Sequence, residues 1–184
     1  MNEVLKTIKS RRSIRAFKSE QIKQEELNLI IEAGIHAPSG HNTQPWHFTV
    51  IQNRDVINHI SNVSKEVMAT VDIDWIRNAG LNPNYDITYK APTLIIISGR
   101  KDAISGRTDC DAAIQNILIA AESLNIGSVW LGFAAFCFQK QGEAEKVGIP
   151  EGYEPYYGIA LGYKLRDKQI PVPKRNYDVV NYIR

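Results

Sequence analysis

Two hydrophobic periods alternate along this 184-residue chain and predict a succession of helices and strands. Leu27, Ile30, Ile31 and Gly34 fall at i, i+3, i+4 and i+7, the spacing of a half-buried helix from about Gln24 to His36. Pro38-Ser39-Gly40 would end it. Val4, Leu5 and Ile8 mark a shorter amphipathic helix over about Asn2 to Ser10, and Asp55 to Thr70 is also helix-like. From Trp46 to Ile51 the period drops to two: Trp46, Phe48 and Val50 alternate with His47, Thr49 and Ile51, as in a strand. Thr93 to Ser98 is rich in β-branched residues and lacks alternation, which predicts a strand covered on both faces. Two more strands are expected around Ser128 to Leu131 and Tyr156 to Leu161, with a helix near Gln139 to Val147 between them. Residues 71–90, rich in Asn, Asp and Tyr, read as an irregular, mobile excursion.

The helix predicted from about Asp109 to Leu124 differs from the others. Thr108-x-x-Asp111 resembles a capping box at its start. Polar positions beyond it reduce to a narrow stripe of Asp111, Gln115 and Glu122, with Asn116 and Ser123. A helix this apolar has to bury more than one face. Its own sheet would cover one side, and a second subunit or the centre of a monomer would cover the other.

Composition narrows the function classes. With 43% hydrophobic and 23% charged residues, the chain reads as one domain, 1–184, able to bury its own core. Its 22 basic residues are dispersed among 20 acidic ones, so no nucleic-acid face is expected. The longest apolar run, Val129 to Phe138, is half of the ~20 residues a membrane helix needs, and Met1 to Ser10 lacks a signal-peptide core. A cytoplasmic location is the expectation. Cys110 and Cys137 lie in apolar stretches and read as buried free thiols. His36, His41, His47 and His59 show no ligand spacing, so no metal is expected. Neither a GxGxxG turn, a P-loop nor a serine-nucleophile elbow is present.

Four segments could carry chemistry. Arg11-Arg12-Ser13-Ile14-Arg15 places three guanidiniums and a hydroxyl within five residues, a set suited to a phosphate, or else a solvated basic turn. Pro38-Ser39-Gly40-His41-Asn42-Thr43-Gln44-Pro45 offers paired amide donors and acceptors between prolines, for a ligand edge or for its own backbone. Gly127 to Gly132 would let backbone amides approach a planar ligand, or would simply make a tight strand entry. Lys174-Arg175 is a distant basic pair, followed by an apolar end (Val179, Val180, Tyr182, Ile183) that needs a surface to pack on.

Taken in order, RRSIRAF, APSGHNTQPWHF, KAPTLIII, DCDAAIQNILIAAESLNIGSVWLG, ALGY and the basic tail resemble the nitroreductase family of flavoproteins over nearly the whole chain. The resemblance implies an α+β fold with a central, mostly antiparallel sheet wrapped by helices. It also implies an intertwined homodimer with two FMN molecules at the interface. By similarity, Arg11, Arg12, Ser13 and Arg15 would hold the FMN phosphate and ribityl chain, with Lys174 or Arg175 assisting. Pro38 and Ser39 would reach the flavin of the other subunit, Asn42 its polar ring edge, and Trp130, Leu131 and Gly132 would lie along the ring. The implied activity is hydride transfer from NAD(P)H through FMN to an electron-poor aromatic acceptor, a nitroaromatic or a quinone, in ping-pong order. No side chain needs to act as a nucleophile, so no catalytic residue is named. A specialised relative, acting by reductive dehalogenation, enone reduction or flavin modification, and a protein that sequesters FMN without turnover are the other readings. In the first of these, Trp75, Tyr85 and Tyr89 would set substrate choice.

Overall fold

The β-branched run without alternation becomes the centre of the molecule. In chain order the elements are α1 (Glu3–Ser10), α2 (Gln24–Ile35), β1 (Trp46–Ile51), α3 (Arg54–Met68), α4 (Asp74–Leu81), β2 (Thr93–Arg100), α5 (Gly106–Ser123), β3 (Ile126–Leu131), α6 (Glu143–Lys146) and β4 (Tyr153–Tyr163). Short 3₁₀ segments occupy Gly40–Asn42 and Gly132–Gln139. The computed structural model describes residues 1–166 and 170–184.

The four strands form one sheet in the order β1-β2-β4-β3, every neighbouring pair antiparallel. Successive side chains on a strand point to opposite faces, so β2 feeds two cores at once. Ile95 and Ile97 face α2 and α5, joined by Trp46, Ile114, Ile117, Ile159 and Leu161. Leu94 and Ile96 face the other way, toward α3, α4 and the 3₁₀ segment, with Ile57, Ile60, Met68, Val129 and Leu131. Leu94 to Ile97 are all fully buried, each contributing on the order of 1.5–3 kcal/mol. The result is an α+β architecture with helices on both faces of an antiparallel sheet.

Three expectations are corrected. Residues 71–90 are not irregular throughout, because α4 packs on α3 there, with Ile76 buried. No capping box forms at Thr108 and Asp111. The helix starts earlier, at Gly106, and Asp111 Oδ1 is buried with no hydrogen-bond partner among the described residues. The helix expected near Gln139 to Val147 is reduced to α6, because Gly142, at φ 82°, breaks the chain between the 3₁₀ segment and Glu143.

The second cover of α5 is supplied in part by α2 of the same chain. Asn116 Nδ2 donates to the Ala33 carbonyl at 3.0 Å. A Cβ on Gly34 would stand 2.8 Å from Ile117. Elsewhere apolar surface stays uncovered: α1 buries no residue, leaving Val4, Leu5 and Ile8 exposed, and Tyr177, Val179, Val180, Tyr182 and Ile183 in the tail are exposed as well. No helix among the described residues is long and apolar enough to cross a membrane.

Candidate functional site

The arginine turn is fixed by strand geometry. Ser13 forms a parallel bridge with Ser128 at the outer edge of β3, and the Ile14 amide donates to the Ser128 carbonyl at 2.9 Å. Gly127 makes the approach possible, since a Cβ there would lie 2.9 Å from Ile14. Behind the turn, Glu122 near the end of α5 accepts from Ser10 Oγ at 3.1 Å and from Lys164 Nζ at 3.0 Å.

In front of it is an open pocket of about 330 Å³, lined by Arg11, Arg12, Ser13, Arg15, Ile170, Pro171, Pro173 and Arg175. Residues more than 150 positions apart therefore share one cavity. Arg11, Arg12, Arg15, Arg175 and Ser13 line it, with no carboxylate among the described lining residues. Burial holds the Arg11 guanidinium below its ordinary value; Arg12 and Arg175 push the same way, while Glu122 opposes them. Like charges gathered at an open surface repel, and an anion in the pocket would relieve the repulsion.

The arginines are not equivalent. Arg12 gives Nη1 to the carbonyls of Lys9 and Arg11, at 2.7 and 2.8 Å, and Nε to the Ile170 carbonyl at 3.3 Å. Its fork therefore ties the tail to the turn. Arg11 and the Ser13 hydroxyl make no hydrogen bond among the described residues and remain available to a ligand. The Arg15 guanidinium lies 5.8 Å from the centre of the Tyr89 ring, which joins the 71–90 segment to the pocket. Lys174 is exposed and does not line the cavity; Arg175 does.

Trp130, Leu131 and Gly132 continue β3 beyond Ser128. Four residues at about 3.3 Å each put Gly132 roughly 13 Å further along the edge. The amide and carbonyl of one residue point to the same side of a strand, so Trp130, two residues on, shares the free edge with the Ser128 carbonyl. Leu131 is buried, Trp130 stacks edge-on against Tyr157 at 5.3 Å, and Gly132 is exposed, with nothing within 4 Å of where a Cβ would lie. Just past it, Phe133 meets Trp75 of α4 at 5.6 Å between ring centres.

The loop with Pro38, Ser39 and Asn42 lies elsewhere. It feeds β1, the opposite edge of the sheet, three strand spacings or roughly 14 Å from β3. Within one chain the structure does not bring it to the arginine pocket. The loop is strained: His41, Asn42 and Gln44 have φ of 51°, 55° and 44°, and a left-handed non-glycine residue costs about 1–2 kcal/mol. Ser39 Oγ accepts from the Gln44 amide at 3.0 Å, and Gln44 Nε2 donates to Asn42 Oδ1 at 3.2 Å. Pro38 and Asn42 are exposed and Ser39 is half-buried.

Sequence reasoning missed the two carboxylates beneath these segments, Asp109 and Glu122. Their partners are remote in sequence, and only the acidic residues of an otherwise apolar α5 hinted at them. It also passed over His59, which pairs with the buried carboxylate of Glu143 at 2.5 Å, alongside Lys146 at 2.7 Å. Neither thiol is a nucleophile at neutral pH, because burial pushes Cys110 and Cys137 up to about 12. No group of His, Cys, Asp or Glu among the described residues could hold a metal ion.

Known proteins share this fold. The family model described as Nitroreductase family matches residues 8–163. The solved structure of a nitroreductase with bound FMN from Bacteroides fragilis is 34% identical, with a TM-score of 0.92 over 100% of both chains. A second nitroreductase with bound FMN, from Desulfitobacterium hafniense, gives 30% and 0.89, again over 100% of both. A relative in Archaeoglobus fulgidus, named for NADH dehydrogenase and NAD(P)H nitroreductase, is 33% identical over 178 residues, 91% of this chain and 89% of its own.

Proposed function

The chain belongs to the nitroreductase family, and from that premise we propose that it is an FMN-dependent oxidoreductase acting from NAD(P)H on an electron-poor aromatic acceptor, a nitroaromatic or a quinone. The observation that carries this reading is the arginine pocket: four arginines and the Ser13 hydroxyl line open space, with no carboxylate among the described lining residues. A phosphate monoester fits that donor set in charge and in the number of oxygens it presents. The free edge of β3 beyond it, with an unobstructed Gly132, fits a planar ring system on the same ligand.

Bound FMN would supply the hydride chemistry, accepting from the nicotinamide and passing on to the acceptor in a ping-pong order. The chain's own residues bind and orient. Arg11, Ser13 and Arg175 would hold the phosphate, with Arg15 beside them and Arg12 fixing the tail that carries Arg175. The amides of Trp130 and Gly132, on the free edge, would donate along the ring, with Leu131 packed behind them. No side chain acts as a nucleophile.

The loop with Pro38, Ser39 and Asn42 would serve the flavin of a second copy. Two features support a twofold dimer. The two half-sites lie at opposite edges of one sheet. The apolar face of α1 and the apolar tail need a surface that one chain does not provide. Trp75, 65% exposed but tilted against Phe133 next to Gly132, stands where an aromatic acceptor would arrive, and would take part in selecting it.

The test is anaerobic mixing of the purified protein with NADH and with NADPH. Bleaching of a flavin band by either, and its return on adding menadione or a nitrofuran, is expected. A colourless protein that ignores added FMN, or a band unchanged by both nucleotides, would contradict the reading.

A further inference from the structure

Asp109 is only 6% exposed, yet it has no cationic partner among the described residues. A carboxylate hidden from water is costly unless hydrogen bonds replace the water. Here they do. Oδ1 accepts from the Gly40 amide at 3.2 Å and Oδ2 from the Ser105 hydroxyl at 2.8 Å, while its place in the first turn of α5 lets the helix dipole favour the charge.

The Gly40 amide opens the strained turn. From it the chain runs straight through His41 and Asn42 in left-handed backbone, with the Thr43 amide returning to the Gly40 carbonyl at 3.1 Å. Such a turn persists only if its surroundings over-determine it. The space is tight too, since a Cβ on Gly40 would stand 2.5 Å from Ser105 Oγ. Two acceptor oxygens, one hydroxyl and one close approach thus fix where residue 40 sits, and with it the presentation of Asn42.

We infer that Asp109, bridging Gly40 and Ser105, is a positioning residue for flavin binding, holding the 40–44 turn in the shape that delivers Asn42 to the ring edge. This rests on the FMN reading above. Asp109 itself touches no ligand and acts through the loop.

Three variants are compared with the wild-type protein for FMN affinity, by flavin fluorescence, and for the position of the bound flavin's visible band. Asp109→Ala should weaken FMN binding about tenfold, the scale of one hydrogen bond to a charged group, and shift the band. Asp109→Asn keeps an acceptor for Gly40 and can donate to Ser105, so it should restore affinity to within about threefold and return the band to its wild-type place. Ser105→Ala, which removes one bond to Asp109 and leaves the Gly40 bond intact, should fall between the two. Affinity and band unchanged in Asp109→Ala overturn the inference and leave the FMN reading standing. An Asn variant as impaired as the Ala variant also overturns it, since charge rather than the clamp would then be at work. A wild-type protein that binds no FMN overturns both.

Discussion

At the β3 edge of the sheet, cations are brought together; at the β1 edge, backbone is bent and held. Four arginines line the first, backed by a half-buried ion pair between Glu122 and Lys164. The second has three left-handed residues and a carboxylate that accepts from an amide and a hydroxyl. The first arrangement suits a charged, freely rotating group such as a phosphate, for which direction matters less than field. The second suits a flat edge with fixed donors and acceptors, where a displacement of an ångström matters more than charge. The difference teaches that one ligand can be held by unlike physics at its two ends, and that the two contributions separate experimentally by their response to salt.

The largest effect is expected from Arg11→Ala. Removing this guanidinium, which has no hydrogen-bond partner among the described residues, should weaken FMN binding about 100-fold, some 2.7 kcal/mol, and flatten the dependence of affinity on salt, because exposed charges are screened within about 10 Å at 0.1 M. Titration at two salt concentrations measures both. Gly40→Val should cost about tenfold by displacing the loop, but with the salt dependence of the wild type. If the two variants respond to salt alike, the distinction between the edges fails.

Within the tail, Arg175→Ala should reduce affinity by about tenfold and Lys174→Ala by less than about twofold, the scale of an exposed charge. Equal losses would show that the pocket lining does not decide which of the adjacent cations matters.

The smallest effect lies outside both edges. Lys146 and His59 hold the Glu143 carboxyl below its usual value of 4.5. A depressed carboxyl contributes stability that is complete above that value and lost as pH falls through the folded-state value. Glu143→Gln should therefore lower Tm slightly at neutral pH and lose less Tm than the wild type between neutrality and acid, read by melting across a pH series.

Legibility in the sequence followed the range of the interaction. Periodicity located β1 and α2 because each signal lies within a dozen residues, and the β-branched run without alternation in Thr93 to Ser98 marked β2 as a strand with two covered faces. The arginine turn stood out because its residues are contiguous, and the family pattern joined it to the Lys174-Arg175 pair without choosing between them. Helix α4 was obscured because Ile76 and Ala79 are its few inward residues within an Asn- and Asp-rich stretch. The Asp109 clamp joins residues 69 apart, and Glu122 reaches Ser10 over 112. No local spacing encodes such pairs. The cover of α5 by α2 went unread for the same reason: Gly34 looked like one more position in a helical stripe, and its close fit against Ile117 appears only in three dimensions.

The central claim is that the arginine edge of one protomer and the loop edge of another serve a single flavin. Differently tagged Arg11→Ala and Gly40→Val chains can be co-expressed, the mixed dimer isolated, and FMN titrated into it. If the edges come from different protomers, one site receives both defects and the other receives none, so half of the sites should bind FMN with wild-type affinity. Two impaired sites and none of wild-type affinity, one weakened about 100-fold and the other about tenfold, or a protein that stays monomeric, would contradict the account.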